Sequence, residues 1–299
     1  MNEFIEIPDS PRDPISAVLN TLRLDSVEDG VFLGSSIIQR TPRIYGGQVF
    51  AQAVISAAAT LHGETADRAI HSITAAFLRP GDVNTPVRFE VEDVLDGRSF
   101  STRRILAYQH GDTIFSARAS FQEHQAGVEH QTSQPPAPDP HELESSIDFF
   151  DQLAIPNAER LNAITAVDLR HVGGAIWTAP APTQDDYTLI WFRLAAPLPA
   201  HTSQLVHRAL LAYATDQFML EPVMRKHSMY WFSPDVSLAT LDHAIWWHRD
   251  VSVDDWILAE LISPSAQGGR GLSLARYYQN GVHVATMAQE GMVRLKTLR

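Results

Sequence analysis

One stretch of this chain occurs twice, first as Gly97-Arg98-Ser99-Phe100-Ser101-Thr102-Arg103-Arg104 and again as Gly269-Arg270-Gly271-Leu272-Ser273-Leu274-Ala275-Arg276. The glycine that opens each copy, the arginine after it, the serine in fifth place and the last arginine coincide when the copies are placed 172 positions apart. Solenoid repeats have periods of about 20–50 residues, so this separation indicates a duplicated unit of domain size. The sequence therefore predicts one fold present twice, and differences between the copies become informative about function.

A second pair of segments extends the similarity. Tyr108-Gln109-His110-Gly111 recurs as Tyr278-Gln279-Asn280-Gly281 at a separation of 170, whereas His71 and His243 are again 172 apart. The change of separation predicts a loop that is two residues shorter in the second copy. Both segments are predicted to form hairpin turns, and Asn-Gly is a strong signal for such a turn.

Each copy is predicted to contain one buried helix followed by antiparallel strands. We expect the helices over Gln48–Leu61 and Leu205–Leu220, because a helix that is apolar nearly all round must be buried nearly all round. Val87–Glu92 alternates with the period of a half-buried strand, and Val282–Leu295 predicts a long final strand. A sheet wrapped around a central helix satisfies both patterns, which predicts an α+β architecture present twice.

The region between the copies has the composition of a linker. Pro135-Pro136-Ala137-Pro138 lies in a polar stretch that runs from about residue 123 to residue 144. Scattered apolar positions over 145–165 predict a short helix packed on one domain. We therefore predict an N-terminal domain over residues 1–124, a linker with a short helix over 125–165, and a C-terminal domain over 166–299.

Composition and charge exclude several classes of function. The 299 residues contain no cysteine, which excludes disulfides, thiolate metal sites and a cysteine nucleophile, and fits the cytoplasmic location that we expect. The net charge of −12 argues against nucleic acid as a partner, because such binders neutralise phosphates. The sequence shows neither a signal peptide at its N-terminus nor an apolar run long enough for a membrane span. A homo-oligomer formed through sheet edges is compatible with the fold, but nothing in the sequence specifies one.

Three polar residues of the second copy stand where the core is expected. Asp216 lies on the second predicted helix, whereas the first helix has no carboxylate. Gln289 shares a strand face with apolar residues, and Ala119 is its counterpart at a separation of 170. Thr240 has Arg68 as its counterpart at a separation of 172. Taken singly, each has a structural alternative, namely a capping aspartate, a glutamine at a solvent-exposed edge and a threonine beside a strand.

Several motifs occur in an order that identifies a known family. The chain resembles the acyl-CoA thioesterase II family, built as a double hotdog, in two tandem hotdog domains. The resemblance covers roughly residues 20–124 and 166–295 and rests on these segments: Tyr45-Gly46-Gly47-Gln48-Val49, Phe77-Leu78-Arg79-Pro80-Gly81-Asp82, Asp96-Gly97-Arg98-Ser99-Phe100-Ser101, Ala119-Ser120-Phe121-Gln122, Leu241-Asp242-His243, Trp246-Trp247-His248-Arg249 and Gln289-Glu290-Gly291. The segment from Val167 to Pro199 departs from the family pattern, so the range of substrates is not predicted.

The resemblance implies a site and a reaction. The family's catalytic trio is an aspartate, a threonine or serine before the Asp-His pair, and a glutamine in the last strand, which fall on Asp216, Thr240 and Gln289. The implied reaction is the hydrolysis of a fatty acyl-CoA partner by an activated water, with no metal or organic cofactor. Backbone amides at a helix N-terminus are expected to stabilise the oxyanion.

Other residues and other functions were weighed against this prediction. His243 is interpreted as structural because His71 occupies the matching position in the first copy, and Arg270 is not expected to bind phosphate because Arg98 matches it. A hotdog hydratase or dehydratase is disfavoured, since no histidine has an acidic residue five positions before it. The chain has no Gly-x-Ser-x-Gly motif for a serine hydrolase. A non-catalytic acyl-CoA sensor remains an alternative from a different class.

Overall fold

The structure, a computed structural model, describes residues 14–37, 42–153 and 166–296. The helices of these ranges are α1 (Pro14–Leu22), α2 (Gly46–Ala58), α3 (Ser146–Gln152), α4 (Gln204–Thr215) and α5 (Glu221–Lys226). The strands are β1 (Asp25–Glu28), β2 (Val31–Gly34), β3 (Ala69–Phe77), β4 (Val87–Asp96), β5 (Phe100–Gln109), β6 (Asp112–Gln122), β7 (Val167–His171), β8 (Tyr187–Leu194), β9 (Val236–Trp247), β10 (Ile257–Gln267), β11 (Arg270–Gln279) and β12 (Val282–Leu295).

All described strands belong to one antiparallel sheet. Their order is β1-β2-β4-β5-β6-β3-β9-β12-β11-β10-β8-β7, so the first half of the chain supplies one side of the sheet and the second half supplies the other. The halves join where β3 pairs with β9, with Ser72 opposite Trp246 and Ala76 opposite Asp242. The predicted α+β double hotdog is therefore confirmed, with its two sheets fused edge to edge.

Two buried helices fill the inside of this sheet. α2 is rich in alanine and other small residues, and Gly47–Ala57 are all buried, as the scarcity of charge in the sequence predicts. α4 packs directly against α2. The second helix is shorter than predicted, because it ends at Thr215 and Asp216 is its C-cap residue. Residues 216–220 turn before α5 begins, so the aspartate terminates a buried helix instead of lying within it.

The hairpin turns agree with the sequence. His110 and Gly111 connect β5 to β6 with φ values of 52° and 84°, and Asn280 and Gly281 connect β11 to β12 with 52° and 79°. Two consecutive residues with positive φ give the turn whose twist matches that of its strands. The final strand has the predicted bounds, and the face that carries Gln289 is its buried face.

The residues that correspond between the two halves are not all the ones that the sequence predicted. Strands β5 and β11 each run unbroken for 10 residues, so the shorter loop predicted between their equivalent residues does not exist. Ala119 pairs with Ile73, and Gln289 pairs with His243, which fixes the separation of equivalent residues at 170 in these strands as well. The 172-residue match arose because a Gly-Arg pair occurs near the turn before β5 and another near the turn before β11. The hydrogen-bonded pairs of the sheet do not place these two Gly-Arg pairs at equivalent positions.

This register changes three counterparts. The counterpart of Thr240 is Ile70, and Arg68 is two residues away from it. His243 corresponds to Ile73, so the argument that matched it with His71 was wrong. Arg98 and Arg270 likewise do not correspond, because Arg98 lies in the turn after β4 and Arg270 begins β11. The match of Gln289 with Ala119 stands.

The segment between the halves lies along the second one. Gln131 donates to the carbonyl of Gly281, and the hydroxyls of Thr132 and Tyr278 are 2.9 Å apart. The predicted short helix is present as α3, where Ser145 caps the helix and its hydroxyl donates to Asp168 in β7. The rest of the predicted helical region, residues 154–165, lies outside the described residues. Among the described helices, none is long and apolar enough to cross a membrane.

Candidate active site

The structure brings the three predicted residues together at one end of α4. The Thr240 hydroxyl donates to Asp216 Oδ1 over 3.0 Å, and the Gln289 amide Nε2 donates to Thr240 Oγ over 3.0 Å. The hydrogen bonds therefore run in one direction, from the Gln289 amide through the Thr240 hydroxyl to the Asp216 carboxylate. Each residue comes from a different element, since Asp216 caps α4, Thr240 lies in β9 and Gln289 lies in β12.

Gln289 keeps one hydrogen-bonding atom unused. Its side chain is buried with 1% of its surface exposed, which rules out the alternative of a solvated edge position. The amide oxygen Oε1 is buried and accepts no hydrogen bond from any described residue. A buried acceptor without a partner costs roughly 1–3 kcal/mol of stability. A donor that reached Oε1, such as a water molecule, would remove this cost.

The first turn of α2 approaches the carboxylate closely. A Cβ atom added at Gly46 would lie 2.8 Å from Asp216 Oδ2, and one added at Gly47 would lie 2.5 Å from the Tyr213 carbonyl oxygen. The N–H of Gly47 donates to Asp216. Tyr45, the N-cap residue, makes no side-chain cap to this helix, and the N–H groups of Gln48 and Val49 donate to its backbone carbonyl. Glycine is therefore required here by space.

Burial controls the proton affinity of Asp216. Its side chain is 5% exposed, and this desolvation raises the pKa of the carboxyl above its usual value. The hydrogen bonds from Thr240, Gly47 and Gln289 act in the opposite direction but do not cancel it. A carboxylate of raised pKa is a stronger base, which suits it to remove a proton from water.

His243 lies beside the trio without joining it. Its Nδ1 is 3.9 Å from Asp216 Oδ1, and neither ring nitrogen has a hydrogen-bond partner among the described residues. Burial lowers the pKa of His243 to about 3, so the ring is neutral and the two do not form an ion pair. The ring stacks on Phe50 of α2 at a centroid distance of 4.7 Å. This packing agrees with the structural role predicted for it.

Two cavities meet at Tyr45. The first, the Thr240 cavity, has a volume of about 370 Å³ and is lined on one side by Arg43 and Arg79. The second, the Asp216 cavity, has a volume of about 280 Å³ and a wall of aromatic side chains: Phe150, Trp177, Trp231 and Phe232. The Tyr45 hydroxyl donates to the carbonyl of Tyr213 over 2.5 Å and lies in the wall of both. Thr240 and Asp216 thus line neighbouring cavities, the first with two arginines among largely apolar residues and the second with an aromatic wall.

Sequence reasoning missed several contributors. Tyr45, Gly46 and Gly47 entered it only as a family motif, without a role. The aromatic wall was missed because Phe150 comes from the linker helix and Trp231 from the segment before β9, which are distant in sequence. Trp231 is held by a hydrogen bond of 3.0 Å from its indole N–H to the buried Glu221. In the ranges that the structure describes, no cluster of three or more histidine, cysteine or acidic side chains is placed to hold a metal.

Comparisons with known proteins identify the family to which this chain is similar. Residues 38–122 match the profile described as the acyl-CoA thioesterase N-terminal domain, and residues 132–293 match that of the C-terminal domain. Acyl-CoA thioesterase 2 of Haemophilus influenzae is 32% identical over 289 residues, which cover 94% of this chain and 98% of the relative. Human acyl-coenzyme A thioesterase 8 is 33% identical, with coverage of 96% and 92%. The crystal structure of the acyl-CoA thioesterase II TesB2 from Mycobacterium marinum has a TM-score of 0.74 and 34% identity, covering 93% of this chain and 97% of that one.

Proposed function

This chain belongs to the acyl-CoA thioesterase II family, and we propose that it hydrolyses fatty acyl-CoA through a water held by Asp216, Thr240 and Gln289. The observation that carries the proposal is the directed line of hydrogen bonds from Gln289 through Thr240 to Asp216. Two further features support it: the carboxyl of this cluster has a raised pKa, and its amide oxygen has no donor among the described residues. A water that donates one proton to each acceptor would satisfy both.

The reaction then proceeds by general-base catalysis. Asp216 accepts a proton while the water oxygen forms a bond to the carbonyl carbon of the thioester. The tetrahedral intermediate collapses as the C–S bond breaks, and the leaving sulfur takes the proton back to give free CoA. Holding the water in line for attack supplies much of the rate, because the reacting atoms no longer have to find each other.

The first turn of α2 supplies the donor for the oxyanion. The N–H groups of Gln48 and Val49 turn toward the carbonyl of Tyr45, and that of Gly47 bonds to Asp216. The N–H of Gly46 is left as the donor for the negative charge that develops on the carbonyl oxygen. The partial positive charge of the helix N-terminus favours the same charge.

We assign one part of the substrate to each of the two cavities. The aromatic Asp216 cavity takes the acyl chain, because burying each CH₂ group there is worth about 0.8 kcal/mol. The Thr240 cavity takes the CoA arm, with the exposed cations Arg43 and Arg79 at its edge to attract the phosphates. The thioester would cross between the cavities beside Tyr45 and Gly46.

Thiol release from a graded series of acyl-CoAs tests the proposal. We expect the wild-type chain to release CoA and Asp216→Asn to lose about 10²–10⁴ in rate, the scale of general-base catalysis. Asp168→Asn is the matched control, since Asp168 is a buried aspartate of the same half that bonds to Ser145 and Arg170, outside the site. It should keep its turnover even where it loses stability.

Two outcomes would contradict the proposal. Retention of near wild-type hydrolysis by Asp216→Asn would remove Asp216 as the base. Saturable acyl-CoA binding with no thiol release by the wild-type chain would make the protein a sensor instead of an enzyme. The pH profile adds a check: activity should fall as pH drops through the raised pKa of Asp216, because protonation removes the base.

A further inference from the structure

A third cavity lies at the opposite ends of the two central helices. It has a volume of about 360 Å³ and is bounded by the end of α2, the start of α4 and the start of β3. Ala58, Ala59 and Leu205 give it apolar walls, and Arg68 and Arg208 line it with positive charge. Its size lies within the range of about 300–1,000 Å³ that is typical of small-molecule sites.

This cavity is the counterpart of the catalytic one. α2 begins at the catalytic site and ends here, whereas α4 begins here and ends at Asp216. Where the catalytic site has Thr240 and Gln289, the equivalent residues are Ile70, which lines this cavity, and Ala119. Counted from the helix N-caps, Ala58 stands in the place of Asp216. The cavity therefore has the shape of a substrate site without a base.

Two buried arginines replace the lost polar groups. Arg68 and Arg208 are each only 9% exposed. Arg68 donates to the hydroxyl of Ser101 and to two backbone carbonyls, and Arg208 donates to the carbonyl of Ile70 and to Asp250. A guanidinium has five N–H donors, so donors remain on both, and in each the buried Nε has no partner among the described residues.

The charges around the cavity leave room for an anion. Asp250 forms an ion pair with Arg208, but 73% of the Asp250 side chain is exposed to solvent. Asp67 is an exposed carboxylate at the rim of the cavity. The hydrogen bonds of Arg68 go to neutral oxygens, and the two carboxylates that interact with its charge, Asp96 and Glu123, do not line the cavity. The N-terminus of α4 is already capped by Ser203, whose hydroxyl accepts from Val206. Any anion would therefore be held by the arginines and not by the helix terminus.

We propose that this cavity is a non-catalytic binding site for a fatty carboxylate, with the alkyl chain against the alanine-rich wall and the carboxylate on Arg68 and Arg208. Carboxylate suits the planar guanidinium because it can accept two parallel hydrogen bonds. The ligand class is the product class of the proposed function, but the site itself does not require hydrolysis. It would hold a fatty acid at the far end of the helix that delivers Asp216.

Calorimetric titration of the full chain with decanoate tests this. Decyl-CoA, a thioether that cannot be hydrolysed, is added first to occupy the catalytic cavities. We expect one decanoate site to remain, and decanol, which lacks the carboxylate, to bind there at least about tenfold more weakly. Loss of all decanoate binding in the presence of decyl-CoA would overturn the proposal, as would equal binding of decanol. If decyl-CoA alone fills two sites per chain, the third cavity binds the CoA derivative and not the acid. That result also overturns the proposal.

A filling variant locates the site. Ala59 is half-buried in the cavity wall, so Ala59→Trp should abolish the decanoate site that survives decyl-CoA while the initial rate of thiol release changes by less than about twofold. Arg208→Met should weaken the same site at least about tenfold. Thermal unfolding checks that both variants fold, and survival of the site in folded Ala59→Trp would refute the assignment. A chain without thiol release that keeps an Ala59-sensitive site would refute the proposed function and leave this inference intact.

Discussion

The two ends of the α2–α4 pair occupy equivalent places in the two halves, but their side chains differ in chemistry. At one end, Asp216 lies against the start of α2 at Gly46, where the N-cap residue Tyr45 gives no side-chain cap. At the other end, Ala58 meets a helix start that Ser203 caps with its own hydroxyl. The two ends therefore share a scaffold but not a carboxylate, and the hydrolysis that we propose depends on that difference.

After Asp216→Asn, the largest expected loss of rate comes from filling the space that Gly46 leaves beside Asp216. Gly46→Ala would place a Cβ 2.8 Å from Asp216 Oδ2, so the carboxylate must move. A displacement of about 1 Å can cost roughly 10²-fold in rate. The equivalent first residue of α4 is Gln204, which shows that the fold tolerates a side chain where no carboxylate approaches. Measurement of kcat for thiol release checks this prediction.

Gly127→Ala is the control for that variant, because a Cβ there meets nothing within 4 Å. It should behave as wild type. If Gly46→Ala also retained wild-type kcat, the close approach of α2 would have no part in the chemistry.

The next largest loss of rate is expected from changing Thr240, a residue of β9 whose equivalent in β3 is Ile70. Thr240→Ala leaves Asp216 and Gln289 without their shared hydroxyl, and a hydrogen bond to a charged group is worth about 1.5–3 kcal/mol. The rate should fall about 10–100-fold, and Thr240→Ser should recover most of it. Thr188→Ala is the control, since that buried hydroxyl has no partner in the described chain. Serine as inactive as alanine would argue that the methyl group, not the hydroxyl, matters.

The smallest effect is on stability. Because the folded state holds the proton of Asp216 more tightly than the unfolded chain, the free energy of unfolding falls as pH rises from about 3.8 through the raised pKa. Asp216→Asn removes this cost and should stabilise the protein at pH 7 by roughly 0.5–2 kcal/mol, with no gain at pH values below about 3.8. Thermal unfolding across pH measures it.

Glu221 provides a control of opposite sign. Although burial raises the pKa of this carboxyl, His171 and Arg225 hold it below its usual value, so it contributes stability that is present at neutral pH and lost in acid. Glu221→Gln should therefore lower the Tm at pH 7. A lower Tm for Asp216→Asn as well would mean that Asp216 is a structural group.

The proximity of Asp216, Thr240 and Gln289 was predicted correctly, whereas the register between the halves was not. These three residues were singled out as polar side chains at expected core positions and were then joined by the family resemblance, and the hairpins followed from their turn residues. The 172-residue offset failed because Gly97-Arg98 lies in the turn before β5 whereas Arg270 already begins β11, and true equivalence is set by hydrogen-bonded pairs such as Ala119 with Ile73. The end of α4 was misjudged because residues 216–220 are as apolar as the helix before them. The aromatic wall depends on contacts between distant segments, which no local pattern records.

The junction of β3 with β9 has a consequence for how the protein folds. This pairing makes the two halves neighbours in one hydrogen-bonded ladder, and it is central to the sheet instead of terminal. A chain cut between the halves would expose β3 and β9 as bare edges, the kind of surface that recruits foreign strands and aggregates. Duplication within one polypeptide keeps the second edge tethered nearby from the moment of synthesis. The linker is in this sense a folding aid, because it makes the closure of that edge an intramolecular event that does not depend on protein concentration.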